Sequence, residues 1–359
     1  MNRLLSIAAV QAAPRPAEAD PDGFAAEVER LLAENPGTRM VVHPEMHLCG
    51  VDAGAAAGRH EQLEAAAEPL DGPRVRRLAE LAGDLGVWLL PGSVTERGER
   101  GELFNTALAF SPEGRLAASY RKVFPWRPYE PYVPGDRFVV FEVPGTGRVG
   151  FSICYDSWFP EVARHLAWMG AEVIVNPVET TSDDREQEVV LARANAIVNQ
   201  VFVVSVNAAG PVGRGRSLIV DPEGLVRAEC PDAGPALLTD VLDLDHVTRV
   251  RTHGTAGTNR MWEQFTDADA PIELPLYRGR IDPAAGGPAP ARADRSPPPH
   301  RPRSRPVPPS APDRPRRPTP PAPRPHSHAP PEPRWNPPRS PAPSRSDRWC
   351  CSASPTWRR

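Results

Sequence analysis

Lysine is almost absent from this chain. Of 42 basic residues in 359, one is a lysine, Lys122, beside 41 arginines. A compositional preference for arginine removes lysine wherever the two serve equally. It spares lysine where a compact ammonium on a flexible stem is needed and a planar guanidinium does not fit. Chance survival of a surface lysine is the plain alternative, and the count alone does not choose. Cysteine is scarce too: Cys49, Cys154, Cys230, Cys350 and Cys351. Five at irregular spacing exclude a disulfide framework, and the one close pair is adjacent rather than C-x-x-C, which excludes a zinc knuckle. A reducing, cytoplasmic setting is the expectation. No run of 18 apolar residues exists, which excludes a transmembrane helix. Met1-Asn2-Arg3 before Leu4–Val10 has the outline of a minimal signal peptide. That apolar core is as short as such cores come and is interrupted by Ser6, so it reads as a first strand.

Basic surplus is missing from most of the chain. Residues 1–282 hold 27 bases and 41 acids, a charge of −14, which argues against a nucleic-acid-binding protein. Residues 283–359 reverse this, with 15 arginines, four acids and 25 of the 47 prolines. Their +11 brings the total to −3. With 40 % hydrophobic residues overall, the first segment has the means to bury a core. The second does not, and reads as a Pro/Arg-rich disordered tail. Its abrupt onset and its Trp349-Cys350-Cys351 ending also fit translation in a shifted reading frame.

Apolar periodicity in 1–282 predicts strands at Leu4–Gln11, 38–42, 87–94, 172–176 and 201–207, and helices at Pro21–Glu34, Pro73–Leu85, 160–169 and 184–200. Asp20 suits an N-cap, and Pro21 and Pro73 suit first helical positions. The polar stretch 95–101 reads as a turn. Ser111-Pro112-Glu113-Gly114, Pro144-Gly145-Thr146-Gly147 and Asp221-Pro222-Glu223-Gly224 each separate two short apolar runs, as hairpin turns do. Strands alternating with both helices and hairpins mean α/β with a mixed sheet.

Several of these strands end in a reactive residue: Glu45 after Val41-Val42-His43-Pro44, Lys122 after Tyr120-Arg121, and Cys154 after Phe151-Ser152-Ile153. Strand ends hold side chains rigidly while leaving them reachable. Singly, each has a bland reading: a solvated acid, a surface lysine, an inert buried thiol. Together they make chemical sense. An acid can take the thiol proton, the sulfur can attack an acyl carbon, and the ammonium can stabilise the oxyanion. Cys154 precedes a helix start at Pro160-Glu161, where the dipole favours thiolate. Cys49 and Cys230 read as inert. Trp126, Tyr129, Tyr155 and Trp158 suggest a small apolar-walled pocket, with core or dimer packing nearly as good a reading.

The order and spacing of these pieces resemble the nitrilase superfamily of carbon–nitrogen hydrolases over roughly residues 4–270. The matching pieces are Pro44-Glu45, Tyr120-Arg121-Lys122, Pro134-Gly135-Asp136, Cys154-Tyr155-Asp156, Phe159-Pro160-Glu161, Arg193-Ala194 with Asn199, and Asn207-Ala208-Ala209-Gly210. The resemblance implies a four-layer α-β-β-α sandwich, a homodimer or larger homo-oligomer, and a Glu-Lys-Cys triad at Glu45, Lys122 and Cys154. It implies a second glutamate at Glu130 and an oxyanion donor in the backbone N–H of Tyr155. Pro125-Trp126-Arg127-Pro128-Tyr129-Glu130 looks most like the aliphatic amidase and formamidase branch. Neither a metal nor an organic cofactor has a role in such chemistry. The expected reaction is hydrolysis of a small neutral amide, with Trp126, Tyr129 and Trp158 lining the pocket. Alternatives are a carbamoyl-compound or omega-amidase-like hydrolase, an N-acyltransferase, and a non-catalytic protein that recruits partners through the tail.

Overall fold

The computed structural model describes residues 2–50, 58–264, 266–274 and 279–281. The segment 283–359 discussed above lies outside the described residues. Strand β1 (Leu4–Gln11) sets the architecture. Leu5, Ile7 and Ala9 are buried on one face and Ala8 and Val10 on the other. A strand buried on both faces needs a layer on each side. Helix α1 (Pro21–Glu34) follows with Asp20 as its cap, the Asp20 carboxylate accepting from the Asp22 N–H at 3.0 Å. Then come β2 (Met40–Val42), α2 (Arg59–Ala66), α3 (Pro73–Leu85), β3 (Trp88–Leu90), β4 (Ser93–Arg97), β5 (Leu103–Phe110) and β6 (Leu116–Arg121). The second half holds β7 (Val140–Val143), β8 (Gly147–Phe151), a 3-10 turn at Cys154–Trp158, α4 (Pro160–Trp168), β9 (Val173–Val178), α5 (Arg185–Asn199), β10 (Phe202–Asn207), β11 (Leu218–Val220) and β12 (Val226–Glu229). Strand β13 (Ala236–Asp243) and α6 (Leu244–His253) come last in the body.

Two mixed sheets result. The first runs β13-β1-β2-β3-β5-β4 with β6 paired to β5, and β1, β2 and β3 are parallel. The second runs β12-β11-β10-β9-β8-β7, with β8, β9 and β10 parallel. Leu5, Ile7, Met40 and Leu90 of one sheet pack against Phe151, Val175, Val204 and Ile219 of the other. On the outer face of the first sheet, Phe24 and Val28 of α1 and Leu78 of α3 meet Val41 and Leu89. On the outer face of the second, Leu166 of α4 and Ala196 of α5 meet Ile174 and Val203. This is the four-layer α-β-β-α sandwich. Among the described residues no helix is long and apolar enough to cross a membrane.

Two sequence expectations fail here. The stretch 87–94 is two strands, broken at Gly92, whose φ of 87° turns the chain. A Cβ there would stand 1.7 Å from the Pro44 carbonyl oxygen, so glycine is required for the turn to lie against the Glu45 segment. The stretch 95–101 is not all turn, since Thr95, Glu96 and Arg97 pair with Asn105, Phe104 and Leu103 in β4–β5. Its polar pattern is explained by Glu96, whose buried carboxylate accepts from Thr106 Oγ1 at 2.6 Å and pairs with Arg121. Strand β13 and helices α2 and α6 had no counterpart in the sequence reading.

Candidate active site

Glu45 lies just beyond β2 of the first sheet, and Cys154, Thr180 and Asn207 lie at or just beyond the C-terminal ends of the parallel strands β8, β9 and β10 of the second; bonds between these segments bring the four to one rim. Lys122 follows directly on β6. Its ammonium is wholly buried and donates to Glu45 Oε1 at 2.9 Å and to Glu130 Oε1 at 2.8 Å. Glu45 is fixed from two further sides: Asn105 Nδ2 donates to Oε1 at 2.8 Å and the Glu179 N–H donates to Oε2 at 2.9 Å. The second oxygen of Glu130 accepts from the Trp126 N–H at 3.1 Å. Gly135 supports the lysine's backbone, its N–H donating to the Lys122 carbonyl at 2.8 Å. A Cβ on Gly135 would stand 2.2 Å from the Arg121 carbonyl oxygen.

Isolated in such a place, an ammonium would lose its proton. Burial does press the Lys122 pKa down, but the Glu45 and Glu130 charges outweigh it and hold it well above the usual lysine range. The lone lysine is therefore a buried cation, not a chance survivor on the surface.

Cys154 opens the 3-10 turn rather than closing β8, with a left-handed φ of 43°. A non-glycine residue there is strained by about 1–3 kcal/mol and needs its surroundings to hold it. Asp156 supplies the hold, its carboxylate accepting from the Ile153 N–H (2.9 Å), the Phe124 N–H (2.9 Å) and the Tyr120 hydroxyl (2.7 Å). Burial pushes the Asp156 carboxyl up to about 6 against these donors. The dipole argument for a resting thiolate does not hold. Burial, then the Glu45 charge, push the Cys154 thiol well above its ordinary range, and Lys122 offsets this only in part. These influences favour the thiol over the thiolate at Cys154.

Of the aromatic residues, Trp126 and Tyr129 hold tilted rings 4.3 Å apart and are 37 % and 63 % exposed, so neither is a buried wall. Trp158 is partly buried, its ring 6.2 Å from Tyr155. Cys49 and Cys230 are buried, and burial raises both thiols. The sequence reading did not single out Asn105, Thr180, Arg185 or Glu188. Asn105 lies mid-strand and Thr180 in a loop, where no periodicity marks them. Arg185 and Glu188 carried a usable signal, opposite charges one turn apart at a helix start.

The four-layer sandwich, with a buried acid–ammonium pair and a partly buried thiol at its strand ends, is the nitrilase class of fold. The family model for carbon–nitrogen hydrolases matches residues 6–252, and the chain belongs to that family. Among curated relatives it is 30 % identical over 231 residues to a formamidase of Pseudomonas syringae, covering 63 % of this chain and 66 % of that protein. It is 33 % identical over 202 residues to omega-amidase NIT2 of Xenopus tropicalis, covering 52 % and 72 %. Among solved structures it resembles Saccharomyces cerevisiae Nit3 of the nitrilase superfamily, with a TM-score of 0.64, 26 % identity, and 72 % and 97 % of the two chains covered. A cysteine-to-alanine mutant of the Nesterenkonia sp. AN1 amidase in complex with butyramide gives a TM-score of 0.57 at 27 % identity, covering 70 % and 95 %.

Proposed function

We propose that the chain hydrolyses the C–N bond of a small, neutral amide to a carboxylic acid and ammonia through a thioester on Cys154. The observation that carries this reading is the Lys122 ammonium held between Glu45 and Glu130 on the rim that also presents Cys154. Because the thiol is neutral at rest, proton transfer accompanies attack. Glu45 takes the thiol proton as sulfur adds to the amide carbon. Lys122 and the Tyr155 backbone N–H receive the oxyanion, and one such donor lowers a barrier by about 3–4 kcal/mol. Glu45 passes the proton to the departing nitrogen, ammonia leaves, and a thioester remains. Glu45 then draws a proton from water, the hydroxide displaces sulfur, and the thiol is restored with the acid. Glu130 keeps the lysine charged and orients the substrate NH2.

Three observations support a small neutral substrate. Ser157 and Trp158, just beyond the nucleophile, carry no cation to clamp a substrate carboxylate. Lys122 is already engaged by two carboxylates. The relatives include formamidases, and the Nesterenkonia enzyme binds butyramide. Trp126, Tyr129 and Trp158 form the wall and rim that the substrate passes. Residues 1–282 make up the hydrolase domain, acting as a cytoplasmic homo-oligomer without metal or organic cofactor.

An ammonia-release screen over formamide, short aliphatic amides, glutamine-like amides, N-carbamoyl compounds and nitriles tests this. Formamide and the short amides should turn over fastest. Preferred turnover of a nitrile or a carbamoyl compound contradicts the assignment. Truncation after Asp282 should leave the rates unchanged.

A further inference from the structure

A second buried ion pair stands behind Cys154, and the hydrolysis scheme leaves it idle. On α5, Arg185 Nη1 donates to Glu188 Oε2 at 3.0 Å, with both side chains buried. The guanidinium is locked by further bonds to the carbonyls of Gly215 (3.0 Å) and Arg216 (2.9 Å) and to Ser205 Oγ (3.2 Å). Glu188 Oε1 accepts from Trp158 Nε1 at 3.4 Å. Glu188 Oε2 also accepts from Thr180 Oγ1 at 2.6 Å. Thr180 is pinned from its other side, its N–H donating to Asn207 Oδ1 at 2.9 Å. Its hydroxyl oxygen lies 3.9 Å from Cys154 Sγ.

The direction of these bonds follows from the donors available. A hydroxyl has one proton, and a carboxylate paired with a guanidinium only accepts. The short Thr180–Glu188 bond takes that proton, so Thr180 presents lone pairs to the sulfur. A thiol can donate into them, whereas a thiolate is repelled. We propose that Glu188 is a positioning residue for the nucleophile, holding Cys154 through Thr180 as a neutral S–H donor until substrate arrives. Activation then moves the proton from its Thr180 contact to Glu45 as sulfur bonds to the amide carbon, and no co-reactant is needed. The enzyme's resting thiol is thereby guarded against alkylation and oxidation outside the catalytic cycle.

The charged groups around the sulfur agree with this. Glu45 beyond β2, Glu130 in the loop after β6 and Glu188 on α5 all push the thiol up, and Lys122 pulls it down. Asp156, in the thiol's own turn, is taken up by its three donors. Arg185 faces Glu188.

The inference rests on the hydrolytic reading only for the word nucleophile, and its test uses no amide. The pH dependence of Cys154 alkylation by iodoacetamide, located by peptide mass, is measured on the full chain and on T180V, T180S and E188Q. T180V and E188Q should each move the midpoint down by about one unit, making alkylation below it about tenfold faster. T180S, which keeps the hydroxyl, should restore the original midpoint. An unmoved or raised midpoint in T180V overturns the proposal even where turnover falls, since that pattern marks a merely structural residue. If E188Q does not fold, the T180V and T180S pair decides alone. A normal shift in a protein that hydrolyses no amide would instead refute the functional reading and leave the positioning role standing.

Discussion

Two buried clusters lie on either side of Glu45, and they treat charge in opposite ways. Across the rim, Lys122 keeps its proton in a fully buried position because two carboxylates stand within 2.9 Å of its ammonium. On the turn itself, His43 and His47 are equally buried, their rings stacked at 4.8 Å and packed against Phe24 at 5.0 and 5.8 Å. The charges that reach them are positive, Arg15 acting on both rings and His47 on His43. Burial therefore lowers His43 well below its usual range and His47 to about 3. The comparison teaches that burial does not decide whether an ionisable group is charged. What decides is whether the sequence delivers an opposite charge to the same place, here over separations of 77 residues for Glu45 and eight for Glu130.

The strongest way to break this contrast is Lys122→Arg, which keeps the charge and changes its shape. On the proposed mechanism turnover should fall by at least about a hundredfold, because a guanidinium would misplace the donors assigned to the oxyanion. Near-normal rates in steady-state assays would dissolve the argument from the lone lysine. Glu130→Gln removes one of the two charges that hold the ammonium and should cost about tenfold to a hundredfold in kcat. Its pH–rate profile should lose activity at lower alkaline pH than the parent, as Lys122 surrenders its proton more readily.

The histidine side sharpens the same contrast through stability. The folded chain keeps both rings neutral, so below about pH 6.5 only the unfolded chain takes up these protons. Stability is then complete above that pH and is lost toward acid, at about 1.4 kcal/mol per pH unit for each ring that stays neutral. His47→Phe keeps the stacking and removes one such proton. The difference in thermal midpoint between neutral pH and about pH 5 should narrow in this variant, and an unchanged difference would contradict the assignment. The smallest effect is expected at Cys230→Ala, a buried thiol that is no member of the Glu45–Lys122–Cys154 group. It should cost about 1 kcal/mol of stability in chemical denaturation and leave turnover as it was.

How far the sequence was legible follows from the same physics. Glu45, Lys122 and Cys154 could be read because each follows closely on a strand, and the excess of arginine made one lysine conspicuous. Asp20 at the head of α1 and Pro73 at the head of α3 act locally, and local chemistry can be read locally. Strand β4 could not be read so, because Glu96 looks like a turn residue until Thr106 and Arg121 arrive to pair with it. Strand β13 pairs with β1 across most of the chain, joining Leu4 to Asp243, and no nearby residue announces that partner. The resting state of Cys154 was misread for a related reason. The helix dipole is a local feature, while burial and the Glu45 charge that oppose it come from distant segments.

The central claim is that sulfur at Cys154 carries the acyl group of an amide. Ammonia release from formamide and short aliphatic amides, compared between the parent chain and a folded Cys154→Ala variant, tests it most directly. The account predicts steady release from the parent and none above background from the variant, whereas release that persists without the thiol would contradict it.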